Sequence, residues 1–207
     1  MINKIYHPIL EEKLTLLRRK DTPSNIFRQT VEEIAMFMTY EVAQNFQTKE
    51  IDIETPIANC KSKILAEDNF VVVPILRAGL AMVGGVLKVL PNAAVGHIGL
   101  VRDENSHKPI EYYKKMPPNF AEKNLIVVDP MLATGGSSSA ALQMLKDDGA
   151  KNIIFLCIIA APEGIQKIKE DHPEISVYTV AIDDHLNENA YIVPGLGDAG
   201  DRIFDTL

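Results

Sequence analysis

The sequence of 207 residues predicts an α/β fold, in which a mostly parallel central sheet is covered by helices on both faces. From residue 70 onward, short apolar runs alternate with segments of helical periodicity, the pattern of strand–helix–strand units. The runs are apolar throughout, as in strands that are buried on both faces. With 46% hydrophobic residues and no repeat or long linker, the chain is predicted to form a single domain over residues 1–207.

The residues before the predicted sheet indicate two helices and a hairpin. Leucines at 10, 14 and 17 share one helical face, and apolar residues at 27, 31, 34, 35, 38 and 42 mark a longer helix over 26–46. Alternation around a Pro-containing turn predicts a protruding two-stranded β-arm over about 51–65. Because an isolated hairpin is barely stable in water, we expect this arm to pack on a second subunit.

The predicted sheet comprises strands at 70–75, 93–101, 124–128, 153–160 and 176–182, with helices at 79–90, 137–148 and 164–171. Ligands of such sheets bind beyond the carboxyl ends of the strands. A polar, charged stretch at about 102–118 is predicted to be a flexible loop. Most of its charges, His107 included, are assigned to solvated surface.

Composition narrows the function. The chain has 21 Lys and Arg against 28 Asp and Glu, a net charge of −7, which argues against nucleic-acid binding and an anionic membrane surface. It has neither a membrane-length apolar run nor the apolar core of a signal peptide, so a cytoplasmic location is predicted. Cys157 lies within an apolar strand and is expected to be a buried thiol rather than part of a disulfide.

The most informative segment is DPMLATGGSSS at 129–139, between a buried strand and a helix. Unpaired N–H groups and the helix dipole make such a junction an anion site, and Gly135 and Gly136 allow a phosphate to approach the backbone. Asp129 would repel the phosphate, so it is better placed to bind sugar hydroxyls or a metal. The segment alone is equally consistent with an ordinary strand–helix turn. It matches neither the Walker loop nor the dinucleotide fingerprint.

Two arginines at strand ends are candidates for a diphosphate clamp. Arg77 lies between apolar neighbours, and a guanidinium matches paired phosphate oxygens. The alternative is a surface arginine that pairs with an acid. Arg102 occupies the equivalent position on another strand. The adjacent side chains at 183–185 do not converge on one point, so no metal is assigned to them.

Three glycines, a proline and two acids form the loop at 191–202, YIVPGLGDAGDR. Its exposed backbone groups are suited to hydrogen-bond a small planar heterocycle, with Asp198 near the reaction partner. The alternative is simple chain termination.

The segments VPILRAGL (73–80), DPMLATGGS (129–137) and YIVPGLGDAGD (191–201) together closely resemble the uracil phosphoribosyltransferase family, with likeness nearly from end to end. The resemblance implies transfer of ribose 5-phosphate from phosphoribosyl pyrophosphate (PRPP) to N1 of uracil, giving UMP and diphosphate in pyrimidine salvage. It also implies a type I phosphoribosyltransferase fold with a C-terminal hood over the base, at about 183–202.

The resemblance assigns catalytic roles to Asp198, Arg77 and Arg102, and diphosphate binding to the two arginines. It places Asp129 on the ribose and Asp198 on PRPP and its Mg²⁺. The remaining PRPP-binding residues form the loop Pro130, Met131, Leu132, Ala133, Thr134, Gly135, Gly136 and Ser137. Uracil would be bound by Ile192, Gly197, Asp198 and Ala199.

The cofactor implied is Mg²⁺. Many phosphoribosyltransferases have two acids before the phosphate loop, whereas here Pro130 follows a single Asp129. Metal contacts are therefore expected through PRPP, water and Asp198. Some relatives are activated by GTP, so GTP is a candidate allosteric activator, and a homodimer or higher homo-oligomer is expected.

Two other classes of function remain open. One is an RNA-binding regulator with a phosphoribosyltransferase fold, which the acidic composition disfavours. The other is a phosphosugar-binding module without catalysis, which the joint presence of Arg77, Asp129 and Asp198 disfavours.

Overall fold

The structure, a computed structural model, describes residues 1–102 and 109–206, with only the backbone at Arg102. The segment 103–108, which includes part of the predicted loop and His107, lies outside the described residues, as does Leu207.

A nine-stranded sheet forms the centre of the molecule. Its strands are β1 (Ile2–Lys4), β4 (Phe70–Leu76), β5 (Ala94–Val95), β6 (His97–Arg102), β7 (Pro109–Lys115), β8 (Asn124–Val128), β9 (Met131–Leu132), β10 (Asn152–Ala160) and β11 (Ser176–Ile182). The main order is β1-β11-β10-β8-β4-β6-β7, while β5 pairs with β4 and β9 with β10. Only β6 and β7 pair antiparallel among these described strands, which confirms the predicted mostly parallel sheet.

Helices cover both faces of this sheet. They are α1 (Pro8–Arg18), α2 (Ser24–Ala43), α3 (Leu80–Val89), α4 (Gly136–Asp147), α5 (Pro162–Asp171) and α6 (Ala199–Phe204). Val72 packs in the core beneath α1, α2, α3 and α6, whereas its neighbours Val71 and Val73 pack beneath α4 and α5. Alternate residues of one strand thus enter two cores, which explains why the strands are apolar without alternation.

The segment between the second helix and the sheet forms an antiparallel hairpin of β2 (Thr48–Glu54) and β3 (Asn59–Leu65). Among the described strands, these two pair with each other and not with the central sheet. Ile57 at the turn is 94% exposed. A second small antiparallel pair, β12 (His185–Leu186) and β13 (Ile192–Val193), lies in the C-terminal segment.

The prediction of a loop over 102–118 is wrong for residues 109–115, which form the edge strand β7. The ring of Tyr112 lies over Gly99, where an added Cβ would come within 2.6 Å of the Tyr112 Cζ. Most side chains of β7 are exposed to solvent, as is common in an edge strand, so its polar composition resembles that of a loop. In the part of the chain that the structure describes, no helix is long and apolar enough to cross a bilayer.

Candidate active site

The candidate site lies where the carboxyl ends of β4 and β8 meet. The chain leaves β4 toward β5 and β6 on one side, whereas from β8 it continues to β10 on the other side. Such a reversal opens a crevice at the carboxyl edge of a parallel sheet. Arg77 follows β4, and Asp129 follows β8. The topology therefore brings two predicted site residues, 52 positions apart in sequence, to neighbouring strand ends.

Arg77 extends from its strand end toward the C-terminal helix. Its Nη2 lies 3.2 Å from Oδ1 of Asp201, and its guanidinium lies 5.8 Å from the ring centroid of Phe204. The peptide bond between Leu76 and Arg77 is cis. The side chain is 57% exposed. It thus pairs with an acid, as the alternative interpretation held, yet its guanidinium remains accessible to an anionic ligand.

The turn after Arg77 is packed directly against the end of β8. A Cβ on Gly79 would lie 2.4 Å from the carbonyl oxygen of Val128 and 2.7 Å from that of Ile75. Two backbones can approach this closely only where a side chain is missing. Gly79 therefore sets the separation between Arg77 and the residues that follow β8.

Asp129 has few polar partners among the residues that the structure describes. Its backbone N–H donates to the Leu156 carbonyl at 3.1 Å, and Oδ1 accepts a long bond of 3.4 Å from the N–H of Met131. Burial raises the pKa of Asp129 to about 7, and the Met131 bond lowers it only in part. The charged form of this carboxyl would be stabilised by ligand hydroxyl groups, because they supply the hydrogen bonds that water no longer provides.

The loop 130–137 passes from β8 into α4 along the end of β10. The Pro130 carbonyl accepts from the N–H groups of Ile158 and Ile159 at 2.9 and 3.1 Å, and Met131 and Leu132 form β9 beside β10. These contacts hold the first half of the loop to the sheet.

The second half of the loop turns into α4. Gly135 has a φ of +78°, in the left-handed region that favours glycine, and Thr134 Oγ1 accepts from the Gly136 N–H at 3.3 Å. Ser137 is exposed in the first helical turn. Because the first N–H groups of a helix have no intrahelical acceptor, this turn offers donors to an anion.

Gly164 is a site-shaping residue that sequence reasoning assigned to a simple helix start. An added Cβ would lie 2.4 Å from the carbonyl oxygen of Ala133 and 2.8 Å from that of Leu132. The first turn of α5 therefore supports the back of the loop 130–137 through backbone contact.

The C-terminal loop combines exposed and buried members. Gly197 is exposed with a φ of +78°, Asp198 is half-buried, and Ala199 is buried at the start of α6. Ile192 is buried in β13. Asp198 caps α6 by accepting the Asp201 N–H on Oδ1 at 3.0 Å.

Asp201 joins this loop to the strand end. Its N–H binds Asp198, while its carboxylate binds Arg77. Arg77 and Asp198, 121 positions apart in sequence, are thereby held beside one another.

Two further arginines, which sequence reasoning missed, hold the C-terminal loop in place. Arg18 of α1 binds both carboxylate oxygens of Asp183 at 2.5 and 2.7 Å, and donates to the Gly195 carbonyl at 2.8 Å. The Gly195 N–H in turn donates to Asp183 at 2.9 Å. Because Asp183 is occupied in this way, its carboxylate acts as a structural anchor.

Arg202 forms the second anchor. Its guanidinium donates to the carbonyls of Leu196 at 2.7 Å and Arg19 at 2.6 Å, binds the Leu17 carbonyl, and stacks 4.2 Å from the Phe27 ring centroid. The sequence carried a local signal only for Arg202, which follows the glycine-rich loop, whereas Arg18 lies in α1, 165 positions before its partner Asp183.

Two predicted assignments concern Arg102 and a metal ion. The backbone of Arg102 ends β6, beside β4 and paired with Pro109, but its side chain is not described. Among the described residues, no group of three or more His, Cys, Asp or Glu side chains is arranged to hold a metal ion.

The chain is similar to known proteins over nearly its whole length. The family model described as uracil phosphoribosyltransferase matches residues 4–206. A uracil phosphoribosyltransferase from Clostridium kluyveri is 57% identical over 205 residues, covering 99% of this chain and 98% of the relative. One from Dictyoglomus turgidum is 52% identical over 206 residues and covers both chains fully.

Solved structures show the same fold. A protein from Aquifex aeolicus superposes with a TM-score of 0.94 at 36% identity, covering 100% of this chain and 99% of that one. The adenine phosphoribosyltransferase of Trypanosoma brucei superposes with a TM-score of 0.56 at 10% identity, over 86% of this chain and 82% of that one. The second match concerns the fold alone.

Proposed function

The chain belongs to the uracil phosphoribosyltransferase family, and on this premise we propose that it transfers ribose 5-phosphate from PRPP to N1 of uracil. The products are UMP and diphosphate, and the reaction serves pyrimidine salvage. The observation that carries the proposal is the convergence of Arg77, the Asp129 loop and the Asp198 loop at one edge of the sheet. A cation, a sugar-binding acid and a base-binding loop are the three parts that this substrate pair requires.

We assign each part of PRPP to one wall of the crevice. Donors in the segment Ala133–Ser137 bind the 5-phosphate at the N-terminus of α4, and Pro130, Met131 and Leu132 position that segment on β10. Asp129 binds the ribose hydroxyls. Arg77 binds the diphosphate, and Arg102 joins it from the neighbouring strand end.

Uracil is bound by the C-terminal loop. Backbone groups of Ile192, Gly197 and Ala199 pair with the polar edge of the ring, and Asp198 lies on the side that faces PRPP. A loop held by the Arg18–Asp183 ion pair and by the hydrogen bond from Arg202 to the Leu196 carbonyl presents these groups in a fixed geometry, which favours one heterocycle over others.

In the reaction, the C1–O bond to diphosphate breaks, the C1–N1 bond forms, and the proton of N1 is taken up by the diphosphate product. Positive charge develops on the sugar while negative charge grows on the leaving group. Arg77 and Arg102 stabilise the leaving diphosphate electrostatically, and the two binding walls align N1 with C1. The protein therefore contributes positioning and charge rather than a covalent intermediate.

Mg²⁺ fits this arrangement as a cation that arrives on the diphosphate. The described residues offer single carboxylates, at Asp129 and Asp198, rather than a three-ligand cluster. Mg²⁺ typically keeps several waters and binds through one or two carboxylates together with substrate phosphates. When bound, it neutralises charge on the leaving group.

We further propose a homo-oligomeric enzyme of the cytoplasm, with GTP as a candidate activator. The hairpin of β2 and β3 supports a homo-oligomer, because its turn exposes Ile57 and, within the described part of the chain, its strands pair only with each other. Sedimentation of the full chain tests the assembly, and the rate of UMP formation with and without GTP tests the activation.

The decisive experiment is a spectrophotometric assay of the purified protein with PRPP and Mg²⁺, offering uracil, orotate or a purine base in parallel. We expect nucleotide formation with uracil alone. No product with any base would contradict the proposal and favour a binding module, and product with another base would contradict the assignment of uracil. Filter binding to a pyrimidine-leader RNA at several salt concentrations tests the alternative of an RNA-binding regulator.

A further inference from the structure

A buried polar cluster outside the crevice joins α4 to the end of α5. At its centre is His172, which is 1% exposed. Its Nε2 lies 2.9 Å from the carbonyl oxygen of Ser139 and 3.1 Å from Ser139 Oγ, and its Nδ1 lies 3.2 Å from Nζ of Lys146. Ser139 Oγ also donates to Asp171 at 2.5 Å. Every polar group of the cluster thus has a partner in the neighbouring helix.

The partners determine where the imidazole carries its proton. The ammonium of Lys146 can only donate, so Nδ1 must accept. Nε2 therefore holds the proton and donates to the Ser139 carbonyl. An imidazolium would place a second donor against the ammonium and would lose the Lys146 bond.

The surroundings of the His172 ring contain groups that lower its pKa and groups that raise it. Burial, with a smaller contribution from Lys146, lowers the pKa of His172 below its usual value of 6.5, against the opposing effects of the Ser139 bond, Asp171 and Glu174. Lys167 faces the cluster from α5, 2.8 Å from Asp171. The balance keeps His172 neutral at pH 7.

The cluster is connected to the phosphate loop at short range. Ser139 lies in the first turn of α4, and its N–H donates to the Gly135 carbonyl at 2.8 Å. The opposite end of α5 supports the same loop, since Gly164 packs on the Ala133 carbonyl. Helix α5 therefore holds the loop at Gly164 and the first turn of α4 through His172.

We propose that Ser139 and His172 are positioning residues for the 5-phosphate of PRPP: the neutral imidazole fixes the first turn of α4 and hence the donors that follow Gly135. Neither side chain touches the substrate. The inference rests on the proposed function, because it takes the segment 133–137 as the phosphate site.

Two substitutions of His172 separate positioning from simple packing. His172→Leu removes both ring hydrogen bonds, and we expect the KM for PRPP to rise about tenfold, an effect in the range expected for the loss of one to two buried hydrogen bonds, with the KM for uracil changed less than about twofold. His172→Gln can still donate to the Ser139 carbonyl and accept from Lys146, so it should retain the wild-type KM. Gln143→Ala, on the exposed side of α4 where it binds Asp147, is the matched control and should change neither constant.

The pH dependence gives a second, independent readout. As the pH falls below 6.5, wild type should lose PRPP affinity more steeply than His172→Gln, because only the wild-type ring gains a proton that displaces the Lys146 bond. Protonation of PRPP itself affects both proteins equally. This comparison decides the question even where His172→Leu does not fold.

Equal rises in both KM values for His172→Leu, or superimposable pH profiles for wild type and His172→Gln, would overturn the inference. If either of these results is obtained and the wild-type protein forms UMP, only the inference fails and the proposed function stays intact. A wild-type protein that forms no UMP contradicts the proposed function first, and the inference with it.

Discussion

Asp129 is expected to destabilise the unliganded protein, and Asp129→Asn tests this directly. Burial raises the pKa of this carboxyl from 3.8 to about 7. A group whose pKa is raised on folding contributes stability that is fully present below its unfolded pKa and is lost as the pH rises through the folded value. The loss therefore develops between about pH 4 and pH 7 and is complete by pH 8.

The magnitude follows from the two pKa values. The interval from 3.8 to about 7 corresponds to an upper limit of about 4 kcal/mol at pH 8. Asparagine has the same shape and no charge, so it should recover most of this free energy of unfolding. For a chain of this length, the Tm would rise by up to about 10 °C. At pH 4.5 the advantage should fall to about 1 kcal/mol.

The assay is urea or thermal unfolding of the wild-type protein and of Asp129→Asn at pH 8 and pH 4.5, without substrate. Asp184→Asn is the control, because Asp184 is exposed and the same change there removes a charge without relieving burial. Asp129→Asn should also lose about tenfold to a hundredfold in kcat/KM, since the ribose hydroxyls lose a charged acceptor. Equal unfolding midpoints at pH 8 would refute the reasoning, because the carboxylate would then cost nothing to ionise in the folded state.

Three further substitutions test the remaining walls of the site. Asp198→Ala should lower turnover by on the order of a hundredfold or more, the usual effect of removing one preorganised electrostatic contact; near-normal UMP formation by the purified variant would contradict its role. Arg77→Ala should weaken PRPP binding far more than uracil binding, and equal losses in titrations of the two substrates would argue against a diphosphate clamp. Gly164→Ala should raise the KM for PRPP and lower the Tm, because its Cβ would lie 2.4 Å from the Ala133 carbonyl; unchanged values in steady-state kinetics and thermal melts would show that the loop does not depend on this contact.

Local pattern was enough to predict the α/β class and most of the elements. The strands around Val72 and Val127 are buried on both faces, and a strand buried in this way needs an uninterrupted run of apolar residues, which is visible in the sequence. The loop from Asp129 to Ser137 was recognisable as a candidate anion site because glycines and hydroxyls before a helix N-terminus supply donors, and the other two family segments distinguished it from an ordinary strand–helix turn. Both features depend on residues that are adjacent in sequence.

Local pattern failed where the surroundings change the meaning of a residue. Residues 109–115 were predicted to be a loop because they are polar, yet they form β7 at the edge of the sheet. Gly164 resembled an ordinary helix start, and only the approach of the Ala133 carbonyl shows why a side chain cannot fit there.

By itself, the sequence determined the fold class and the family to which the chain belongs, and it indicated the loop 129–137 as a candidate phosphate site. The tertiary structure decided how the parts form one site: Arg77 meets Asp201 across 124 positions, and Arg18 holds Asp183 across 165. Such pairs depend on the order of strands in the sheet, which no local spacing records. The raised pKa of Asp129 has the same origin, because burial is a property of the folded chain and not of the residue.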